Sequence, residues 1–185
     1  MPALPPRERA DLRPLLLAIL AMVAVVTASN YLVQFEINEW LTWGAFTYPV
    51  SFLVTDLVNR AYGPGRARLL VAVGFAVAVA LSLSLAPWRI AVASGGAFLL
   101  AQLLDIQIFD RLRRQRWFLA PFISSAIASV LDTYVFFAGA FAGEAVPWHT
   151  WAVGDLAVKL AMAFLMLAPF RLLMPRIGPL RTGTA

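Results

Sequence analysis

From Ala67 to Phe109 the chain reads ARLLVAVGFAVAVALSLSLAPWRIAVASGGAFLLAQLLDIQIF. Two apolar runs stand back to back in it, Ala67–Pro87 and Arg89–Phe109, joined by a tight turn around Pro87 and Trp88. A helix that crosses a bilayer needs ~20 mostly apolar residues, since the hydrocarbon layer is ~30 Å thick and each helical residue advances ~1.5 Å. Both runs reach that length. Their only charges are Arg68, Arg89 and Asp105.

Working outward, four more windows qualify: Leu12–Phe35, Leu41–Ala61, Trp117–Phe141 and Trp151–Leu173. Together the six take up nearly the whole chain and leave no room for a soluble domain. The expectation is an all-α integral membrane protein, one transmembrane domain over residues 1–185, built as a bundle of six transmembrane helices. Composition agrees: 61% of the residues are hydrophobic and 14% charged, against ~25% charged in a soluble domain. The mean hydropathy is +0.78.

The links carry the orientation. Arg7, Arg9 and Arg13 precede the first window, and Glu36 and Glu39 follow it. The second link has Arg60, Arg66 and Arg68; the third has Arg89 alone. The fourth has Arg111, Arg113, Arg114 and Arg116; the fifth has Glu144, His149 and Asp155; the tail has Arg171, Arg176 and Arg181. Arg-rich links alternate with Arg-poor ones, which by the positive-inside rule puts both termini in the cytoplasm. The same placement argues against a basic nucleic-acid face. The N-terminal run could be taken for a secretory signal, but it continues through Tyr31–Phe35 and five more windows follow, so it reads as the first span.

Zero cysteines and one histidine, His149, leave no thiolate site and little scope for a metal. No cofactor or metal is expected. The chemistry sits in polar residues inside the spans. Asp56, Asp105, Asp132 and Lys159, the one lysine, fall within windows. Each costs ~2.5–3.5 kcal/mol at the bilayer centre on insertion scales, so they should face a shared interior, and an intramembrane charge is a functional-site candidate by default. Companions recur at helical spacing: Asp56, Asn59 and Arg60; Ser94, Phe98, Gln102, Asp105 and Phe109; Ser125, Ser129, Asp132 and Phe136; Thr27, Asn30 and Gln34. Arg60 can equally snorkel to the surface, and serine stripes often only pack helices. Lys159 has two readings. Asp155 lies one turn before it as an i, i+4 partner; Asp132 or Asp105 could meet it across the bundle. Pro49 removes one backbone hydrogen bond from the second window, as a kink or as a broken helix. The third window, with only Ser82 and Ser84, is expected at the periphery. A short internal match, Ala101 to Phe109 against Ala128 to Phe136, has the form expected of an inverted repeat, although chance between apolar segments explains it as well.

At Thr47–Arg68 the chain reads TYPVSFLVTDLVNRAYGPGRAR. This stretch closely resembles the queuosine precursor transporter family, which belongs with the vitamin uptake transporters. AFLLAQLLDIQIFDRLR, SSAIASVLDTYVFF and the Lys159 region fit as well, so the resemblance covers roughly residues 20–175. It implies import of a 7-deazaguanine, such as 7-cyano-7-deazaguanine or its aminomethyl relative, across the bacterial inner membrane for salvage into tRNA. Positions that carry over are Asp56, Asn59, Arg60, Gln102, Asp105, Ser125, Asp132, Thr133 and Lys159; Asn30 joins them as a candidate from its own stripe. The family often has Ser-Thr where this chain has Ser124-Ser125, and Gln where it has Ser129, departures that bear on substrate preference. A guanine-like edge presents adjacent N–H donors and a carbonyl acceptor. A carboxylate can accept the donors, and Lys, Asn or Gln can donate to the carbonyl. Tyr48, Phe52, Phe98, Phe109 and Phe136 are candidates to stack on the base.

The implied partners are a small deazapurine and the lipid bilayer, with no nucleic acid; a homo-oligomer is left open. One alternative is the substrate-binding subunit of an energy-coupling-factor-type transporter, and the chain itself has no P-loop. A remote alternative is an intramembrane hydrolase using Ser94 and His149. His149 falls in a link, and Val92 stands where such a dyad has a glycine, so the expectation is that the chain is not an enzyme.

Overall fold

The computed structural model describes residues 12–32, 35–38, 40–85 and 87–176. Helix α1 spans Leu12–Leu32, and a small antiparallel hairpin of β1 (Glu36–Asn38) and β2 (Leu41–Thr42) follows. Then come α2 (Gly44–Thr47), α3 (Val50–Tyr62), α4 (Pro64–Leu85), α5 (Trp88–Leu112), α6 (Leu119–Phe141), α7 (Trp148–Leu165) and α8 (Leu167–Leu173). Among the described residues, four helical stretches are long and apolar enough to cross a membrane: Pro64–Ser84, Trp88–Leu112, Leu119–Phe141 and Trp148–Leu173. The protein is thus an all-α membrane protein apart from its hairpin. The expected span at Leu12–Phe35 is the single helix α1, Leu12–Leu32, and the one at Leu41–Ala61 does not appear as a single long helix. Among the described residues the apolar stretch of α1 is Pro14–Ser29.

The second window differs most. Leu41 and Thr42 pair in the hairpin, and the helix is interrupted at Tyr48 and Pro49. The interruption is a tightened joint. Tyr48 and Pro49 keep right-handed helical angles, while the Ser51 N–H bonds the Tyr48 carbonyl and the Phe52 N–H bonds the Pro49 carbonyl, three residues back. Proline cannot donate to the Ala45 carbonyl, so the ladder shortens its reach there. Pro169 does the same to the last helix. It cannot donate to the Leu165 carbonyl, and the helix breaks at Met166, between α7 and α8.

Two corners are set by local chemistry. Gly63 ends α3 at φ +84°, a left-handed conformation that costs glycine little, and Pro64 opens α4 without losing a bonded N–H. At the other end Arg89 donates to the carbonyls of Gly139 and Ala142 (3.1 and 2.5 Å) and pairs with Glu144 at 2.8 Å. The lone arginine of an Arg-poor link therefore staples the start of α5 to the end of α6.

The apolar core lies between α1, α3, α4 and α5, around Met22, Val58, Leu70, Val71, Phe98 and Ile106. A second cluster joins Leu53, Phe109, Ala120 and Phe170. Helix α4, expected at the periphery, supplies apolar residues alone to the first cluster. Small residues let helices approach. A Cβ at Gly74 would sit 2.9 Å from the Met22 side chain and 3.1 Å from that of Phe98; one at Gly139 would sit 3.1 Å from the Ala93 Cβ. Large apolar side chains also point outward, among them Leu17, Leu69, Leu83, Val92, Val130, Phe164 and Leu172. Lipid is the solvent that such a surface fits.

Candidate functional site

Lys159 is the centre of the site. It is 5% exposed, and its ammonium lies 2.6 Å from Asp132 Oδ2 and 2.5 Å from Asp155 Oδ2. The two readings of this lysine therefore hold together: it pairs within its own helix and across to α6. Thr133 donates its hydroxyl to Asp155 Oδ2 (2.8 Å) and accepts from Lys159 (3.3 Å). Tyr48 donates to Asp132 Oδ1 (2.9 Å), and the ammonium stands 5.3 Å from the centre of the Tyr48 ring. The tightened joint at Pro49 positions Tyr48 from the second span. One network thus ties together α6, α7 and the α2–α3 joint.

A cavity of about 120 Å³ opens beside this network. Asp132, Asp155 and Lys159 line it, with Tyr48, Phe98 and Phe136 as its aromatic wall. Ser29 and Ser94 add hydroxyls. The Ser29 hydroxyl is buried and has no hydrogen-bond partner among the described residues. A buried polar atom without a partner is costly unless something fills that role.

A second polar layer lies deeper. Asp56 and Asp105 are 2% and 0% exposed, and the Ser125 hydroxyl stands 3.4 Å from a carboxyl oxygen of each. The two carboxyl groups thus flank a single hydroxyl. Asp56 Oδ1 and Asp105 Oδ2 have no hydrogen-bond partner among the described residues. Helical rise gives the depth. Asp56 is six residues before Tyr62, Asp105 seven before Leu112, and Ser125 six after Leu119. All three therefore sit roughly 10 Å from the Arg-rich end. Asp132 is thirteen residues after Leu119, and Lys159 fourteen before Leu173, roughly 20 Å from it. A small cavity of about 10 Å³, bordered by Asp56, Ser125, Ser129 and Lys159, lies between the layers.

The remaining candidates have other partners. Gln102, fully buried, accepts from Thr55 (2.7 Å) and donates to Ser51 (2.9 Å), zipping α5 to α3. Asn59 donates to the Ile106 carbonyl (3.0 Å), and its own side-chain oxygen accepts from Arg113 (2.9 Å). Arg60 is half-buried near Arg113 and Arg171 and makes no ion pair among the described residues. The Asn30 side chain lies outside the described residues. Phe109 packs on Phe170 at 6.2 Å in the core, and Phe52 borders the small cavity. His149 is exposed and stacks on Trp148, while Ser94 faces the main cavity; no hydrogen bond joins the two among the described residues.

The structure thus sorts nine of the ten candidates into a Lys159 network (Asp132, Thr133, Lys159), a carboxyl layer (Asp56, Asp105, Ser125) and helix-to-helix contacts (Gln102, Asn59), with Arg60 at the Arg-rich end; the tenth is Asn30. Three groups do more than the sequence reading expects. Asp155 is expected as the i, i+4 partner of Lys159, which the structure bears out, but not as a lining residue of a cavity; Ser29 carries no signal beyond a serine in an apolar helix; and Tyr48 is expected only as a stacking ring.

Comparison with known proteins places the chain. A family model described as "Putative vitamin uptake transporter" matches residues 42–87 and 82–174. The "Queuosine precursor transporter" of Escherichia coli (strain K12) is 36% identical over 177 residues, covering 78% of this chain and 79% of the relative. The "Probable queuosine precursor transporter" of Haemophilus influenzae is 33% identical over 188 residues, 80% of each chain. A protein of the same printed name from Bacillus subtilis (strain 168) is 28% identical over 156 residues, 68% of each. No solved structure matches the chain. With the family match covering most of the transmembrane region, and two relatives above 30% identity along most of their length, the chain belongs to the vitamin uptake transporter family.

Proposed function

We propose that this protein imports 7-deazaguanine precursors of queuosine across the bacterial inner membrane, and that the base binds in the cavity at Lys159. The observation that carries the site is a buried ammonium, held between two carboxylates, on the wall of a cavity with three aromatic residues. Asp132 and Asp155 are acceptors for the ring N–H and amino donors of a guanine-like edge. Lys159 can turn a donor toward the ring carbonyl while its remaining donors keep the carboxylates. Ser29 gives its unused hydroxyl a partner in the same ligand. Phe98, Phe136 and Tyr48 supply stacking surface, worth ~1–3 kcal/mol per base in nucleic-acid sites. Thr133 acts through Asp155 and Lys159. Asp56, Asp105, Ser125, Gln102, Asn59 and Arg60 stand outside the cavity, and their part in transport is indirect.

The same reading includes six crossings with both termini in the cytoplasm. Gly44–Tyr62, taken through the Pro49 joint, is roughly 28 Å long and serves as the second crossing. Exposed Tyr31, Trp40, Trp43 and Trp88 gather at the Arg-poor end, where an interfacial belt belongs. The main cavity lies nearer that end and so loads from outside. The reading includes no chemistry on the substrate. The test is genetic. A strain lacking its own synthesis and importer, given this gene and 7-cyano-7-deazaguanine, should make queuosine in its tRNA. No queuosine despite normal membrane expression refutes the assignment.

A further inference from the structure

We propose that Asp56 and Asp105 form a proton-binding pair that couples import to the proton gradient, one layer below the substrate cavity. The coupling rests on the importer reading above; the pair itself rests on geometry. Two deprotonated carboxylates are acceptors only and repel each other across a shared site, so the repulsion between Asp56 and Asp105, placed on either side of the one Ser125 hydroxyl, is relieved when one of them carries a proton. Ser125 cannot substitute for that proton. It has one hydroxyl hydrogen, and it stands equally far, 3.4 Å, from both carboxyls. One oxygen on each residue still lacks a partner among the described residues, and both side chains are almost fully buried.

Charge counting points the same way. Among the described residues the interior holds four carboxyls, Asp56, Asp105, Asp132 and Asp155, against one ammonium, Lys159. Lys159 is already paired twice, in the upper layer. Among the described residues no basic side chain pairs with Asp56 or Asp105; Arg113 is engaged by Asp110 (2.9 Å) and Asn59. Charges buried in a bilayer without partners are expensive, and a proton is the cheapest neutraliser. A divalent ion fits poorly: no three acidic or imidazole groups converge among the described residues, and such ions take six or more oxygens.

The small cavity supplies the link between layers. At about 10 Å³ it is close to the size of one water, and it borders both Asp56 and Lys159. A ligand that draws Lys159 toward its carbonyl changes the field at Asp56. The coupled step is a single proton transfer: an O–H bond on the pair breaks, one forms on water toward the Arg-rich end, and the pair gains one negative charge. Among the described residues the titratable groups at the pair are Asp56 on α3, Asp105 on α5 and, across the small cavity, Lys159 on α7; α6 contributes hydroxyls, those of Ser125 and, at the small cavity, Ser129.

Two measurements test this. Infrared spectra of the purified wild-type protein near neutral pH should contain a protonated-carboxyl C=O band. The band should vanish in D56N/D105N and persist in D132N. A wild-type spectrum without it overturns the pair, whatever the variants do, and so does a band that survives in D56N/D105N. In proteoliposomes, an inward proton gradient should drive several-fold accumulation of labelled 7-cyano-7-deazaguanine by the wild type. D105N should lose that accumulation but keep exchange of internal for external substrate. Accumulation by D105N at the wild-type level, or accumulation that follows a sodium gradient at fixed pH, overturns the coupling role. A wild type with neither uptake nor exchange refutes the importer reading instead, and the infrared result then still decides the pair.

Discussion

Lys159 makes two ion pairs, and the two are not equivalent when broken. Asp132→Asn leaves the ammonium with Asp155, whereas Lys159→Met leaves Asp132 and Asp155 facing each other without a cation. Losing one member of a buried pair typically costs ~3–5 kcal/mol. K159M should therefore lower the unfolding temperature of the solubilised protein clearly more than D132N, and equal shifts would contradict the network. For transport both should fall steeply, and the double variant should be no worse than the worse single one, as expected of groups acting as a unit. Two independent, additive losses would count against that. Tyr48→Phe removes one hydrogen bond to Asp132 and keeps the ring. Substrate Kd should rise roughly tenfold, ~1.4 kcal/mol, with little change in stability; an unchanged Kd would make Tyr48 a wall residue only. Lys159 and Asp132 were legible because intramembrane charges are rare enough to stand out. Asp155 is legible as the i, i+4 partner of Lys159 but not as a cavity residue, because a hydropathy window starting at Trp151 leaves it at a span edge. The helix starts at Trp148, which places Asp155 two turns in. Ser29 was illegible for a different reason: only the surrounding packing reveals that its hydroxyl has no partner.

At the scale of elements, hydropathy found the four long helices to within a few residues, because length and apolarity are what that signal measures. It could not see hydrogen bonds. Leu41 and Thr42 are apolar enough for a span, yet they pair in a hairpin, and Pro49 tightens the chain where the window runs on. That joint aims Tyr48 at Asp132. Pro49→Ala restores a donor to the Ala45 carbonyl and lets α2 and α3 merge, which turns Tyr48 around the helix. Affinity should drop as in Tyr48→Phe or further, with the fold retained; wild-type affinity in P49A would show that the joint does not set the site. Packing at Gly74 is a second test. An alanine there presses on Met22 and on Phe98, which lines the cavity. G74A should cost ~1–3 kcal/mol of stability, the range for overpacking, and a neutral effect would mean that α1 and α5 yield at no cost.

For the whole molecule, alternating arginine links set the expected orientation, and the structure gives the other face a physical content. Arg89 is used up as a staple to Gly139, Ala142 and Glu144, so it does not offset the arginine excess of the opposite end. A reporter fused after Arg176 should be active only in the cytoplasm; activity outside would invert the bundle and place the cavity on the wrong side for import. The carried-over residues looked like one site in the sequence, since spacing along a helix gives a face but no depth. Folding separates them into two layers roughly 10 Å apart, and only the upper one borders the larger cavity. The most direct measurement is equilibrium binding of labelled 7-cyano-7-deazaguanine to the purified protein, wild type against Lys159→Met. The expected result is saturable binding by the wild type, competed by guanine-like bases, and at least a hundredfold loss in a folded K159M. Equal affinity in the two proteins would contradict the assignment of the base to this cavity.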